Sequence, residues 1–164
     1  MDSLIDLKLK KIKLVITDVD GVLTDGGMYY NDKGECMKKF NTKDSMGMEL
    51  LLKNNIKTIL LTRENSEIVK ERAKKIKIVD LYSDVKNKEQ MIPEILKKYN
   101  VTNDEIAYIG DDVNDLEIMK LIGFSATPFD GNESIKKISD YVCETSGGGG
   151  TFREIADLII NKKN

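Results

Sequence analysis

Short apolar runs alternate along the chain with longer stretches of helical period. Residues 12–18 (IKLVITD), 57–62 (KTILLT), 78–83 (IVDLYS), 106–111 (IAYIGD) and 124–127 (FSAT) are rich in β-branched and apolar residues and predict strands. Between them, KDSMGMELLLKNN, NSEIVKERAKKIK, NKEQMIPEILKKYN and VNDLEIMKLIG predict helices, the last closed by Gly123 as a C-cap. Strands apolar on both faces and joined by crossover helices predict a doubly wound α/β fold. Its Rossmann-like sheet is mostly parallel, with helices on both faces. GGMYYNDKGECMKKFN (26–41) breaks the alternation: two strand-like pieces around NDKG predict a small β-hairpin inserted after the first strand, too small to be a lid domain. No repeat or linker divides the chain, so 1–164 reads as one domain that ends in a Gly-rich tail and C-terminal helix over 145–164. SGGGG (146–150) reads as a flexible arm before a helix from about Thr151 to Asn161.

The 164 residues, 40% of them apolar, suffice for one core. The formal net charge is −2, and Lys and Arg are scattered rather than gathered into a basic stripe, which argues against a nucleic-acid partner. Cys36 and Cys143 lie far apart and in no metal-ligand spacing, as expected of two reduced thiols in the cytosol. The opening MDSLIDLKLKKIK interleaves charged and apolar residues and lacks a signal-peptide core, and no run reaches membrane-spanning length. A cytoplasmic protein without a membrane partner is expected. Histidine is absent altogether. This removes His-based nucleophiles, Ser-His triads and the usual zinc sites, and leaves carboxylates, lysines and hydroxyls to carry any chemistry.

Asp18 and Asp20 stand one residue apart at the end of the first predicted strand, where two like charges repel. In an open α/β sheet the ligand site lies beyond the carboxyl ends of the strands, and Asp18, Thr62 and Asp111 all fall at such ends. GDDVND adds Asp112 and Asp115, so three or more carboxylates converge, an arrangement that is strongly destabilising unless neutralised. A hard divalent cation relieves it, and Mg²⁺ favours oxygen ligands, retained waters and a substrate phosphate.

The order DVDG, LLT, a lysine at the head of a helix and GDDVND resembles the four motifs of the haloacid dehalogenase-type phosphatases, over nearly the whole chain. The resemblance implies that Asp18 is a nucleophile forming an aspartyl-phosphate and that Asp20 is the general acid and base. It implies Mg²⁺ on the side chains of Asp18 and Asp111 and the main-chain carbonyl of Asp20, with Thr62 and Lys88 on the phosphoryl oxygens. Thr62 could equally cap the next helix. Lys86 competes with Lys88, which is favoured because it can open the helix through EQMIPEILKKY. Asp112 and Asp115 read as groups ordering the loop around the ligands. A phospho-receiver module, which also sets acids, Thr and Lys on a parallel sheet, is the second reading. The motif order speaks against it, because receivers place the phosphorylated Asp after the third strand.

Only 43 residues, 19–61, separate Asp18 from Thr62, which leaves no room for a cap domain. DGVLTDGGMYYNDKGE, KKFNTKDSMGM and SGGGGTFREIADLI resemble a capless subgroup, the 3-deoxy-octulosonate 8-phosphate phosphatases and their nine-carbon relatives. That resemblance implies a homotetramer in which the Gly-rich tail covers a neighbour's site and Arg153 reaches the substrate with a bidentate fork. After LT the eight-carbon enzymes usually show Gly-Arg, whereas here the second residue is Glu64. With Arg72 and Lys75 at matching basic positions, the expected substrate is a 2-keto-3-deoxy nonulosonate 9-phosphate, with the eight-carbon acid as the alternative. Arg63 fits neither pattern.

Overall fold

The computed structural model describes residues 3–163. In chain order the strands are β1 (Leu14–Thr17), β2 (Tyr29–Asn31), β3 (Gly34–Met37), β4 (Lys57–Leu61), β5 (Asp80–Tyr82), β6 (Ile106–Ile109), β7 (Phe124–Thr127) and β8 (Tyr141–Val142). Six of them form one sheet in the order β5-β4-β1-β6-β7-β8, every neighbouring pair parallel, while β2 and β3 form the expected separate antiparallel hairpin. β1 lies at the centre, with Ile16 paired to Ile59 on one side and Tyr108 on the other.

The helices are α1 (Ser3–Lys11), α2 (Thr42–Lys53), α3 (Glu67–Ala73), α4 (Ile92–Tyr99), α5 (Leu116–Met119), α6 (Glu133–Lys136) and α7 (Thr151–Lys163). Alternate residues of the central strands enter two cores. Val15, Leu60 and Phe124 meet Leu9 of α1, Met48 and Leu51 of α2, and Phe152 and Ile155 of α7; Leu14, Ile16, Ile59 and Tyr108 meet Ile95, Ile118 and Ile135 of α4, α5 and α6. Burial of each such aliphatic side chain stabilises by about 1.5–3 kcal/mol, so the strand ends that carry the polar residues are rigidly fixed. No helix among the described residues is long and apolar enough to cross a membrane.

Several local expectations are corrected. The N-terminal segment is helical: α1 buries Leu9 and leaves Leu4 and Leu7 exposed, a one-sided burial that its interleaved lysines hid. The helix expected over 87–100 begins as a 3-10 turn, Lys88–Met91, before α4, consistent with Pro93 in the first turn of the α-helix, where its missing N–H costs nothing. Gly123 does not cap α5, whose C-cap is Lys120; its N–H donates to the Asn103 carbonyl at 2.8 Å. The glycines 147–150 are not a flexible arm. Gly147, Gly148 and Gly150 are buried, Gly148 N–H donates to the Val22 carbonyl at 2.9 Å, and Gly147 N–H donates to Asp130 Oδ1 at 2.9 Å. The loop after β1 passes so close that a Cβ on Gly147 would lie 2.0 Å from the Gly21 carbonyl oxygen.

Candidate active site

Asp18 follows β1 directly, and its N–H donates to the Ile109 carbonyl at 2.9 Å, which continues the β1–β6 ladder to the carboxylate. Thr62 follows β4 in the same way, its N–H donating to the Tyr82 carbonyl at 2.9 Å. Asp111 comes one residue after Gly110 at the end of β6. The sheet register therefore delivers all three to one rim. Gly21, at φ +84°, lets the loop after β1 close over Asp111, because a Cβ there would lie 2.0 Å from Asp111 Oδ2.

Carboxylate oxygens of Asp18, Asp111 and Asp115 lie within 4.8 Å of one another. Lys88 has no solvent exposure, and its Nζ is 3.0 Å from Asp18 Oδ2 and 2.7 Å from Asp115 Oδ1. This places Lys88, and not the exposed Lys86, at the centre. Asp115 spends both oxygens on the protein: Oδ1 accepts from Lys88 and from the Tyr108 hydroxyl at 2.6 Å, and Oδ2 accepts from the Asp111 N–H at 3.0 Å. It thus anchors Lys88 and the 111–112 turn. Asp112 is exposed and accepts from the Val113 N–H at 2.8 Å, ordering the same turn.

Burial raises the Asp18 carboxyl to about 7, with the Asp115 charge adding to the rise and Lys88 opposing it. Burial likewise raises Asp111 to about 8, reinforced by the Asp18 and Asp115 charges. Although burial disfavours its charge, the two carboxylates beside Lys88 hold its ammonium above the ordinary lysine range. When ionised, three carboxylates against one ammonium leave two negative charges in a buried site. The donor set is all oxygen, and that excess matches a divalent cation.

Asp18, Asp20, Thr62, Glu64, Asp111 and Asp112 border a cavity of about 240 Å³, together with Arg63 and Asn114, which sequence reasoning did not select. Thr62 Oγ1 accepts from the Glu64 N–H at 3.2 Å, so this hydroxyl also orders the turn that carries Glu64.

A family model described as haloacid dehalogenase-like hydrolase matches residues 35–155. The chain belongs to the haloacid dehalogenase-like hydrolases. The 3-deoxy-D-manno-octulosonate 8-phosphate phosphatases of Salmonella typhi and Haemophilus influenzae are 35% and 38% identical to it over 153 residues, 93% of this chain and 81% and 85% of theirs. A crystal structure of the Yersinia pestis enzyme of that name superposes with a TM-score of 0.96 at 31% identity, covering 99% of this chain and 88% of that one. The Moraxella catarrhalis enzyme, solved in complex with magnesium ion, phosphate ion and a KDO molecule, gives 0.93 at 35% identity, covering 98% and 92%.

Within this dehalogenase-like site, three expected substrate residues are not on the cavity wall. Arg72 bonds Ser45 and lies over the Phe40 ring at 5.6 Å, facing a separate small crevice with Asp44. Arg153 Nε bonds both carboxylate oxygens of Asp157 at 2.8 Å. Lys75 is exposed beyond α3. The expectation for these basic residues rests on their matching positions in the resembled subgroup, and a matching position does not specify which rim the side chain reaches.

Lys38 is the reverse case. It follows β3 on the hairpin, yet its side chain has no exposure, and Nζ is 2.6 Å from Asp20 Oδ1 and 2.7 Å from Glu35 Oε1. Nothing in MKKF distinguishes it from Lys39, which is exposed.

Proposed function

We propose that this hydrolase releases phosphate from 3-deoxy-D-manno-octulosonate 8-phosphate, with Mg²⁺ as its cation. The buried Asp18–Lys88 pair at 3.0 Å, beside Asp20 and Asp111 on one cavity, carries the assignment of chemistry. The eight-carbon activity of the relatives carries the choice of substrate over the nine-carbon acid that Glu64 suggested.

Asp18 and Asp111, with the Asp20 carbonyl, would hold the cation, which when bound neutralises the phosphate and the carboxylate cluster. Asp18 attacks phosphorus in line and becomes an aspartyl-phosphate. Asp20 gives its proton to the departing alkoxide and then takes one from the water that hydrolyses the intermediate. Lys88 fixes Asp18 and compensates charge gathered at the transferring group. Thr62 holds a phosphoryl oxygen, and Arg63 and Glu64 meet the sugar acid from the cavity wall. Arg72, Lys75 and Arg153, being off their own cavity wall, serve the site of a neighbouring subunit in a homotetramer. Because α7 belongs to the core, the test leaves it in place: Asp18→Asn is mixed with a variant carrying Arg72→Ala, Lys75→Ala and Arg153→Ala, where activity above the sum of the two supports the role and mere summation in proven mixed oligomers refutes it.

The test of function is phosphate release from the eight-carbon 8-phosphate and from nonulosonate 9-phosphates, with Mg²⁺ and with chelator. A higher kcat/KM for the eight-carbon ester, lost on chelation, is expected. A higher value for a nine-carbon ester would restore the Glu64 reading, and full turnover in chelator would remove the metal.

A further inference from the structure

We propose that Lys38 is a positioning residue for Asp20, binding one carboxylate oxygen so that the other alone carries the transferred proton. This rests on the reading of Asp20 as general acid and base. Burying an ammonium is costly unless it is paired, and the hairpin meets that cost with two carboxylates, Asp20 and Glu35, on Nζ. Glu35 is itself tied down, because its Oε2 accepts from Ser66 Oγ at 2.7 Å, at the N-cap of α3. Nζ is therefore located by two elements, the hairpin and α3, before it reaches Asp20.

The two oxygens of Asp20 differ sharply. Oδ1 accepts from Lys38 Nζ at 2.6 Å and from Thr24 Oγ1 at 3.4 Å. Oδ2 is buried and has no hydrogen-bond partner among the described residues, although Asp20 borders the cavity. An ammonium has no lone pair to accept with, so a proton on Oδ1 would confront an N–H. The carboxylic proton therefore belongs on Oδ2, whose missing partner is the substrate oxygen or water. In the first step the Asp18–phosphorus bond forms, the phosphorus–ester oxygen bond breaks, and the leaving alkoxide takes the Oδ2 proton. In the second step a water oxygen bonds phosphorus, the Asp18–phosphorus bond breaks, and Oδ2 takes the water's proton, which restores the acid. Without Lys38 the carboxylate is free to rotate and the two oxygens become interchangeable.

The experiment compares kcat/KM for the octulosonate 8-phosphate, whose alkoxide needs a proton, with that for p-nitrophenyl phosphate, whose phenolate does not. This ratio reports only the steps through departure of the alcohol. Lys38→Met should lose about ten- to a hundred-fold on the sugar ester and less than about three-fold on the aryl ester, a fraction of what general acid catalysis supplies. Equal losses on both esters, or no loss on either, would overturn the proposal. If Lys38→Met does not fold, Glu35→Gln, which loosens Nζ from the hairpin side, should give a smaller loss with the same selectivity, and equal losses there overturn it too. Asp20→Asn separates the two levels: full activity in that variant overturns the role of Asp20 itself. A selective loss in Asp20→Asn beside parental rates in Lys38→Met overturns only the role of Lys38.

Discussion

Replacing Lys88 with methionine tests the electrostatic design of the site. The side chain has no exposure and bridges Asp18 at 3.0 Å and Asp115 at 2.7 Å, so Met fills the same path while removing the ammonium that pairs with both. Asp115 keeps the Tyr108 hydroxyl and the Asp111 N–H, whereas Asp18 keeps only the Val19 N–H at 2.7 Å. Breaking a buried pair by removing one partner costs about 3–5 kcal/mol. At about 2–4 °C per kcal/mol for a chain of this size, Tm should fall by roughly 6–20 °C in metal-free buffer. The cluster's ionised charge becomes more negative by one unit, so Mg²⁺ should raise Tm by more in Lys88→Met than in the parent. Activity should fall by about a hundred- to a thousand-fold in kcat, the scale of a lost electrostatic stabiliser. Circular dichroism melts with and without Mg²⁺ measure the first two quantities. A metal-free Tm within about 2 °C of the parent, with an unchanged Mg²⁺ shift, would show that Lys88 does not offset the charge of the cluster.

Two further outcomes follow from the same geometry. Asp18 at about 7 and Asp111 at about 8 lie above their ordinary carboxylate values, so the folded, metal-free protein holds protons that the unfolded chain has released. Its stability should therefore fall as pH rises from about 4, where the unfolded carboxyls release their protons, through about 8, where the folded ones do, on the order of 1 kcal/mol per pH unit for each carboxyl still protonated only in the folded state. Asp44, raised to about 6 by burial, adds to the same fall and no histidine opposes it, so a metal-free Tm that rises from pH 6 to 8 would contradict the assignment. Gly147→Ala should lower Tm and turnover together, because the added Cβ would sit 2.0 Å from the Gly21 carbonyl of the loop that bears Asp20; unchanged melts and rates would show that this loop yields freely.

The parts legible in the sequence are those that contiguous residues specify. β1, β6 and β7 are buried along their whole length and β4 in all but Lys57, and Asp18 and Thr62 follow β1 and β4 directly while Asp111 follows β6 after Gly110, so strand ends and the polar residues beyond them are legible together. α6 has four residues and β8 two, too few to show a period. The glycine run was misread because composition suggests flexibility, whereas contact with Gly21 and Val22 fixes it. Lys38 was missed because its burial arises only when the hairpin folds over the loop after β1. Arg72 and Arg153 were placed by resemblance, and their partners Ser45 and Asp157 are set by packing between elements distant in sequence or by neighbours on the same helix.

Every step of the proposed hydrolysis depends on Asp18 carrying the phosphoryl group. That role is tested by acid quenching of Asp20→Asn, in which hydrolysis of the intermediate should be slowed while its formation from an aryl ester should not, during turnover of p-nitrophenyl [³²P]phosphate with Mg²⁺. A base-labile label is expected on the peptide containing Asp18, absent when Asp18→Asn is added to that variant. Label on a different residue, or p-nitrophenol release in a single turnover with no labelled protein at any time, would rule out Asp18 as the carrier.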